Sequence, residues 1–287
     1  VFPQPHIVRL IQDKRLQKQF YQENSIPTAP FFLIDQKNDL KKYADFLPAV
    51  QKLGREGYDG RGVKVMHTVA DLAQGFEQPS LLEKKVDILK EISVIVARNQ
   101  QGDVKHFPPV EVVYHTEKNL VDYLLSPAQL PEKIAQKAVE IAYKVIEKLG
   151  MVGILAVEMF WDKQNQVLVN EIAPRPHNSG HQTIEANLTS QYEQHLRSIL
   201  NLPLGNTAIR SLSAMINLLG ENGHEGNARY LGLEKVLEMD GVYVHLYGKK
   251  TTKPYRKMGH ITVLATNTDE LNTKIQHIKH LVKVVAQ

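Results

Sequence analysis

A chain of 287 residues, of which 43% are hydrophobic and 23% charged, can bury a substantial core and has an ordinary globular composition. The net charge of +4 comes from scattered lysines and arginines, which argues against a nucleic-acid partner. Disulfide and thiol chemistry are excluded because there is no cysteine. No apolar run is long enough for a membrane span, and the first ten residues lack a signal-peptide pattern, so a cytoplasmic location without a membrane partner is expected.

Hydrophobic spacing and turn residues predict a mixed chain of helices and strands. The clearest element is a helix over residues 131–149, which has its apolar side chains on one face and Gly150 as its stop. Beyond residue 211 the composition favours strands. The predicted helices are 12–23, 39–46, 131–149, 187–200 and 269–282, and the predicted strands are 28–34, 92–97, 152–160, 167–172, 214–219, 242–247 and 259–265.

A glycine-rich connection lies between the two apolar ends of residues 47–66. Its four glycines would let backbone N–H groups approach a phosphate closely, and Lys52 at its edge could reach phosphate oxygens. The Gly-Lys-Ser/Thr ending of a Walker loop is missing. Taken alone, the pattern also fits a simple hairpin. The four glycines are Gly54, Gly57, Gly60 and Gly62.

Two predicted strands each carry one carboxylate among apolar residues, Glu158 in the first and Glu171 in the second. Antiparallel pairing would bring the two glutamates together, where they would repel each other unless a cation lay between them. Mg²⁺ suits such a pair, because it takes one or two carboxylates and completes its shell with water and phosphates. Alternatively both glutamates face water at strand ends, since a shift of one residue swaps the faces of a strand.

The segment after Glu171 is a polar loop that is stiffened by two prolines. Arg175 lies between them, and a guanidinium beside a carboxylate-bound cation can hold a transferring phosphoryl group. His177 and His181 have the spacing of a zinc pair on a helix, but the residues between them favour a loop.

Five basic residues occur between the predicted strands 242–247 and 259–265. A loop with this charge suits a phosphate, although a solubilising surface loop has the same composition. The five are Lys249, Lys250, Lys253, Arg256 and Lys257.

The segment NEIAPRPHNSGH, which is residues 170–181, resembles the signature of the ATP-grasp enzymes. More narrowly it is similar to that of the 5-(carboxyamino)imidazole ribonucleotide synthases of purine biosynthesis. GYDGRG at 57–62 and PYRKMGH at 254–260 resemble further motifs of that family. The resemblance extends from Gln12 to about Ala265 through five motifs in the family's order.

This resemblance implies an α+β chain with the ATP-grasp fold, in which two α+β subdomains sandwich ATP and a strand-rich subdomain follows. Residues 15–205 would form the ATP-grasp domain, with a flap subdomain at about 28–88, and residues 206–287 the C-terminal subdomain. Residues 1–14 would be a linker from an N-terminal domain that the family has before this point.

The implied reaction is the carboxylation of 5-aminoimidazole ribonucleotide by bicarbonate and ATP, through carboxyphosphate, with Mg²⁺ or Mn²⁺ as cofactor. A homodimer is the expected assembly. The alternatives are a sister ligase, such as a formate-dependent glycinamide ribonucleotide transformylase or a biotin carboxylase, and a nucleotide-binding module without turnover.

The family's functional positions map onto this chain as follows. ATP contacts are implied for Lys14, Lys52, Gly57, Tyr58, Asp59, Gly60, Arg61, Gly62, Glu83, Lys84, Lys85, Val86, Glu91, His115, Asn170 and Glu171. Substrate contacts are implied for Tyr58, Asp59, Arg61, Arg175, Ser179, Lys249 and Arg256, catalytic roles for Arg175, His177, Asn178, Lys249 and Arg256, and metal ligation for Glu158 and Glu171.

Several of these residues also have an interpretation that does not involve a nucleotide. Lys14 and Lys18, which resemble the family's Asp-Arg-x-x-x-Lys element, would lie on a solvated helix face. Glu83 and Glu91 would lie at strand edges, and His115 on the surface.

Overall fold

The computed structural model describes residues 1–55, 62–114 and 121–287. These residues fall into two compact units. The first unit comprises Val1–His106, Leu130–Pro176 and His195–Leu204, and the second comprises Phe107–Gln129, His177–Gln194 and Gly205–Gln287. The predicted boundary at residue 205 stays a prediction. In the structure, segments 107–129 and 177–194 group with the C-terminal part of the chain.

The described residues form helices and antiparallel strands. Three short 3₁₀ helices occur at Lys37–Phe46, Val69–Gln74 and Asn178–Gly180. The remaining elements in chain order are α1 (Pro5–Ile11), α2 (Lys14–Glu23), β1 (Phe31–Ile34), β2 (Ala49–Leu53), β3 (Val63–Met66), β4 (Ser80–Lys84), β5 (Ile88–Arg98), β6 (Val104–His106), β7 (Val110–Tyr114), β8 (Val121–Ser126), α3 (Glu132–Leu149), β9 (Gly153–Asp162), β10 (Val167–Ala173), α4 (Thr183–Ala186), α5 (Gln191–Ile199), β11 (Leu212–Leu219), β12 (Gly226–Leu231), α6 (Leu233–Leu237), β13 (Val242–Leu246), β14 (Thr251–Thr252), β15 (Lys257–Ala265), α7 (Thr268–Leu281) and β16 (Lys283–Ala286).

The first unit contains a small sheet and part of a larger one. The small sheet has the strand order β1-β4-β2-β3 and packs on the two 3₁₀ helices that lie between its strands. In the second sheet the order is β10-β9-β5, and β6 pairs with β5. All of these pairs are antiparallel, and the pairs β2–β3, β5–β6 and β9–β10 join strands that are consecutive in the chain.

Helix α3 forms the main core of the first unit by covering one face of β5, β9 and β10. Its buried residues lie at helical spacing, and Gly150 ends it with φ of 59°, a conformation that favours glycine. On the strands the apolar residues alternate with residues of the opposite face, as in a sheet covered on one side by a helix. Strand residues in this core are Ile92, Val94, Val96, Leu155, Val157, Met159, Val167, Val169 and Ile172.

The second unit has its own core. Strands β7, β8, β11, β15 and β13 pair in that order, and α7 packs on β11 and β15. A smaller sheet has the order β14-β12-β16. Leu271, Ile275 and Ile278 of α7 recur at helical spacing and are buried against these strands, which is why the helix closes this unit.

Three histidines of the second unit form a stack. The ring of His260 on β15 lies between those of His181 and His245, with centroid distances of 4.6 and 4.5 Å and interplanar angles of 22° and 14°. Tyr247 Oη lies 3.0 Å from His260 Nδ1, and His245 Nε2 lies 2.8 Å from Glu185 Oε1. Burial, together with the neighbouring His181 and His245, lowers the pKa of His260 to about 3. The stack therefore has a neutral imidazole at its centre.

The predicted elements agree with the structure in type for most of the chain, with three differences. The first predicted strand begins only at Phe31, because Pro30 has no N–H to donate. The predicted helix 39–46 is a 3₁₀ helix that begins at Lys37 and is kinked at Tyr43. Helix α5 begins at Gln191 instead of residue 187, because Ser190 Oγ accepts from the N–H of Glu193 at 3.1 Å and caps the helix.

Several described elements have no counterpart among the predicted helices and strands, among them α1, α4, α6, β6, β7, β8, β12, β14 and β16. Strand β12 alternates intermediate and exposed residues, so it lacks the apolar run that marks a buried strand. None of the described helices is both long and apolar enough to cross a membrane.

The histidine stack predicts a pH dependence of stability. The pKa of His260 is lower in the folded chain than its ordinary value of about 6.5, so its contribution to stability is present above pH 6.5 and is lost as the pH falls toward 3. Urea unfolding at pH 7, 6 and 5 should show a steeper loss in wild type than in His260→Phe, by up to about 1.4 kcal/mol per pH unit.

The matched control is His277→Phe, which removes an exposed histidine from α7 of the same unit. Its pH slope should equal that of wild type. Equal slopes for wild type and His260→Phe would contradict a neutral, buried His260.

Candidate active site

Glu158 and Glu171 lie directly opposite each other on the paired strands β9 and β10. The predicted antiparallel pairing of the two glutamates is therefore confirmed. A β-bulge between Val169 and Glu171 makes this possible. Val167 and Val169 point into the core, so strict alternation would send Glu171 there as well. The bulge inserts Asn170, places Ile172 in the core and turns Glu171 to the side of Glu158.

The face that carries the two glutamates continues onto β5. Ser93 pairs with Glu158, and Glu91 pairs with Phe160, so these four side chains share one face of the sheet. The opposite face of the same strands is the α3 core. The first unit thus has one sheet face for packing and one for polar chemistry, and Glu91 lies on the polar face as its predicted role requires.

The two carboxylates fit a divalent cation. Both side chains are half-buried and face the same side of the sheet, where bringing like charges together without a cation would be costly. Lys14 forms an ion pair with Glu171, so a cationic group is already part of this arrangement. No cluster of three or more His, Cys, Asp or Glu suited to a metal exists among the described residues. A site with two protein carboxylates leaves positions for phosphate oxygens and water, which matches Mg²⁺.

Lys52 on β2 reaches toward this same polar face. Its ammonium donates to Asn170 Oδ1 at 2.8 Å, pairs with Glu83 Oε2 at 3.0 Å and lies 5.9 Å from the centre of the Phe160 ring. Asn170 is the bulge residue of β10, so this hydrogen bond joins the small sheet to the strand that carries Glu171. The predicted phosphate lysine therefore lies beside the predicted metal ligands.

Glu83 is a buried carboxylate between two lysines. Its side chain is 3% exposed, and Oε2 lies 3.2 Å from Lys18 Nζ and 3.0 Å from Lys52 Nζ. Burial alone would raise the pKa of Glu83, but the charges of Lys52 and Lys18 outweigh it and hold the pKa below its ordinary value. Strand β4, which carries Glu83, is paired on both sides, with β1 and β2. Glu83 is therefore a fixed, buried counter-ion that holds the ammonium of Lys52 in place.

The predicted adenine hinge has only part of its backbone available. The N–H of Lys84 donates to Pro30 O at 2.8 Å and that of Lys85 to Pro48 O at 3.2 Å. The Lys84 ammonium donates to Phe46 O at 2.9 Å, which fixes the side chain against the small sheet. Val86 follows these two lysines. Among the described residues, its N–H donates no backbone hydrogen bond of this kind.

Arg175 follows the end of β10. Its side chain is exposed, and its guanidinium donates to Pro176 O at 3.1 Å. In the second unit, a short 3₁₀ turn follows His177. The Ser179 N–H donates to His177 Nδ1 at 3.3 Å, and Ser179 Oγ lies 2.8 Å from the same nitrogen. The turn is therefore not an α-helix that could present His177 and His181 as a zinc pair, in agreement with the loop predicted here.

Gln191 holds this turn in place through hydrogen bonds, and the sequence analysis did not predict this role. Its buried side chain accepts from the N–H of His177 at 2.9 Å and donates to His177 O at 2.8 Å. It also donates to His181 Nδ1 at 3.1 Å. A glutamine at the start of a helix gives no signal in sequence patterns, since its role depends on a partner 14 residues away.

The basic segment lies between β13 and β15, as predicted, and is tied down by β14. Lys249 Nζ donates to Lys257 O at 2.6 Å, and Arg256 Nη1 donates to Thr251 O at 2.9 Å. Partial burial, together with the charges of Arg256 and Lys257, lowers the pKa of Lys249. Such mutual repulsion among cations is relieved by a bound anion.

Six predicted site residues lie outside the described part of the chain. They are Gly57, Tyr58, Asp59, Gly60, Arg61 and His115.

Comparison with protein families gives two matches. Residues 19–192 match the ATP-grasp domain, and residues 213–274 match the phosphoribosylaminoimidazole carboxylase C-terminal domain. The first match alone covers more than half of the chain.

Individual relatives agree with the family matches. The N5-carboxyaminoimidazole ribonucleotide synthase of Bacillus subtilis strain 168 is 37% identical over 275 residues, which is 92% of this chain and 69% of that protein. Other curated relatives are longer: the chain spans 28% of a bifunctional purine synthesis protein from Dictyostelium discoideum and 50% of the Saccharomyces cerevisiae phosphoribosylaminoimidazole carboxylase.

Two solved structures are also similar. The N5-carboxyaminoimidazole ribonucleotide synthetase of Thermotoga maritima has 43% identity and a TM-score of 0.90, over 99% of this chain and 75% of that one. The Aspergillus clavatus N5-carboxyaminoimidazole synthase in complex with ADP and 5-aminoimidazole ribonucleotide has 31% identity and a TM-score of 0.86, over 97% and 75%. The predicted α+β ATP-grasp fold is thereby confirmed, and the chain belongs to the ATP-grasp ligases, within the family of the N5-carboxyaminoimidazole ribonucleotide synthases.

Proposed function

We propose that this chain provides the ATP-dependent carboxylation of 5-aminoimidazole ribonucleotide in purine biosynthesis. The observation that carries the proposal is the cross-strand pair Glu158 and Glu171 with Lys52 beside it, on the fold of a family that has this activity. The ribonucleotide and ADP of the Aspergillus clavatus complex support the choice of substrates.

The chemistry proceeds in two bond exchanges. A bicarbonate oxygen attacks the γ-phosphorus of ATP, the bond from that phosphorus to the bridging oxygen of ADP breaks, and carboxyphosphate forms. Carboxyphosphate then releases phosphate and CO₂, and the amine of the ribonucleotide forms a C–N bond to the carbon and loses a proton. Exclusion of water is essential, because water would intercept the intermediate.

Glu158 and Glu171 would hold Mg²⁺, or Mn²⁺ in its place, which when bound offsets the charge on the β- and γ-phosphates. Lys52 would bind the same phosphates, held in direction by Asn170 and Glu83. Lys14 would neutralise Glu171 on its other side.

The remaining nucleotide contacts follow from the backbone and the polar sheet face. Val86 would donate to the adenine edge, with Lys84 and Lys85 holding the hinge. Glu91 would accept from the ribose hydroxyls. Gly57, Tyr58, Asp59, Gly60, Arg61, Gly62 and His115 are proposed as further contacts from the family motifs alone.

From the family motifs alone, Arg175, His177, Asn178 and Ser179 are proposed to bind bicarbonate and the substrate amine. Lys249 and Arg256 are proposed to bind the ribonucleotide phosphate, because their mutual repulsion favours an anion.

The metal assignment is tested by ADP release with bicarbonate, in the presence and absence of 5-aminoimidazole ribonucleotide. Glu171→Gln and Glu158→Gln should each lower the ribonucleotide-stimulated rate by at least about a hundredfold, because each removes one charged ligand from a site with two. Excess Mn²⁺ should recover part of the loss.

The matched control is Glu147→Gln, which neutralises an exposed carboxylate on α3 of the same unit and should retain the wild-type rate. Stimulation that persists in both ligand variants would contradict the metal site. ATP binding without stimulation in wild type would favour a nucleotide-binding module or a sister ligase, for which glycinamide ribonucleotide and formate are the next substrates to try.

We also infer a homodimer, which exposed apolar side chains of the first unit support. Leu196, Leu200 and Leu202 are 55%, 63% and 48% exposed within seven residues of chain. Clustered exposed leucines are typical of a protein interface.

Leu196→Glu should therefore shift the chain from dimer to monomer in sedimentation or light scattering at micromolar concentration. The control is Leu237→Glu, another exposed leucine that lies at the end of α6 in the second unit. A mass that is unchanged in Leu196→Glu, or a wild type that is already monomeric, would contradict this interface.

A further inference from the structure

Lys18, Glu83 and Lys52 form a buried charge cluster of two ammonium groups and one carboxylate. The side chains of Lys18 and Glu83 are each 3% exposed and that of Lys52 is 13% exposed. Both ammonium groups approach the same oxygen, Glu83 Oε2. The cluster therefore carries a net charge of +1, where a simple ion pair would carry none.

The composition of the cluster matters because Lys52 is the proposed phosphate ligand. A carboxylate 3.0 Å from Lys52 attracts its ammonium and cancels its charge at a distance, so an exclusive Lys52–Glu83 pair would bind phosphate weakly. Lys18 competes for the same oxygen, from which its ammonium lies 3.2 Å away. It thereby returns one positive charge to the cluster while Glu83 continues to fix the position of Lys52.

We propose that Lys18 is a positioning residue for ATP binding: by sharing Glu83 with Lys52, it keeps the phosphate-binding end of the cluster positively charged. This inference rests on the proposed function, since it takes Lys52 as a phosphate ligand.

The surroundings of Lys18 fit this role. Its ammonium donates to Thr28 Oγ1, and Thr28 in turn donates to Val169 O at 2.7 Å, next to the bulge that orients Glu171. The groups that face Lys18 are Glu83 and Lys52 from the small sheet, Lys14 from its own helix, the Thr28 hydroxyl and the Phe31 ring, which lies 5.8 Å away. Lys18 is thus held rigidly and cannot itself extend to a nucleotide.

Burial lowers the pKa of Lys18 to about 8, against the opposing effect of Glu83, with Lys52 and Lys14 adding to the decrease. Lys18 is therefore charged at neutral pH and begins to lose its proton in mildly alkaline solution. The charge of the cluster can be changed by pH as well as by substitution, which gives two independent tests.

The first test is a double-mutant cycle read by calorimetric binding of ATP and of ADP in the presence of Mg²⁺, which needs no turnover. Lys18→Met reduces the cluster from +1 to 0 and should weaken ATP binding roughly tenfold. Lys18→Arg keeps the charge and should stay within about twofold of wild type. The double variant Lys18→Met with Glu83→Gln has the wild-type charge of +1 and keeps a side-chain oxygen at position 83 that can accept from Lys52, so it should bind ATP more tightly than Lys18→Met.

A purely structural role for Lys18 gives a different pattern. In that case the double variant, which removes two buried partners, would bind no better than Lys18→Met, and that result would overturn the proposal. Thermal unfolding of each variant is measured in parallel, so that a loss of binding by unfolded protein is recognised. If Lys18→Met does not fold, the double variant and Lys18→Arg still decide the question, because the proposal requires both to bind ATP.

The second test is the pH dependence of ATP affinity between pH 7 and pH 9. Wild type should lose affinity as the pH rises through about 8, because Lys18 loses its proton there. The double variant should show a flatter profile over the same interval. A wild-type profile that matches that of the double variant would contradict the proposal. A wild type that binds no ATP at any pH would instead contradict the proposed function, so the two failures are distinct.

Discussion

The pairing of Glu158 with Glu171 is the constraint on which the candidate site depends. Two carboxylates side by side are unfavourable in a sheet that is covered on its other face, and the chain brings them together through a bulge. Without Asn170 as the extra residue, the alternation that buries Val167 and Val169 would bury Glu171 too. The bulge is itself anchored, since Thr28 donates to Val169 O and the N–H of Val169 donates to Pro27 O at 2.8 Å. A local irregularity that is held by neighbouring elements is what one expects of a site and not of a packing surface.

The charged groups beside the bulge of the first unit lie in contact with groups of opposite charge. Lys14 lies on Glu171, whereas Lys18 and Lys52 share Glu83. Burying these groups costs desolvation energy that a hydrophobic cluster of the same size would not. Stability alone does not account for such an arrangement. Binding of a polyphosphate does, because a rigid cation that is already desolvated loses little freedom when an anion arrives.

Much of the fold followed from the sequence, because α3, β9 and β10 carry strong hydrophobic periodicity and the glutamates interrupt apolar runs. The pairing partner of Glu158 was predictable for the same reason. The face of Glu171 was not, since alternation from Val167 points the wrong way and nothing in the sequence marks Asn170 as a bulge. Lys18 was open to a solvated interpretation because its burial depends on Glu83, which lies 65 positions further along the chain (83 − 18). Long-range polar partners leave no periodic signal, and Gln191 and His260 were missed on the same grounds.

In the second unit the buried polar cluster is built around a neutral imidazole, whereas the buried cluster of the first unit consists of charged groups. Its loop residue His181 stacks on His260, whose ring is uncharged because it is buried between two other imidazoles. A charged residue at this position would add to the field of Lys249 and Arg256 on the neighbouring hairpin and would itself require a buried counter-ion. Glu185 and Tyr247 complete the stack from its edges without placing a full charge at its centre. His181 and His260 thus hold the turn after His177 against β15 by ring packing, and the positive charges of Lys249 and Arg256 lie on the segment between β13 and β15.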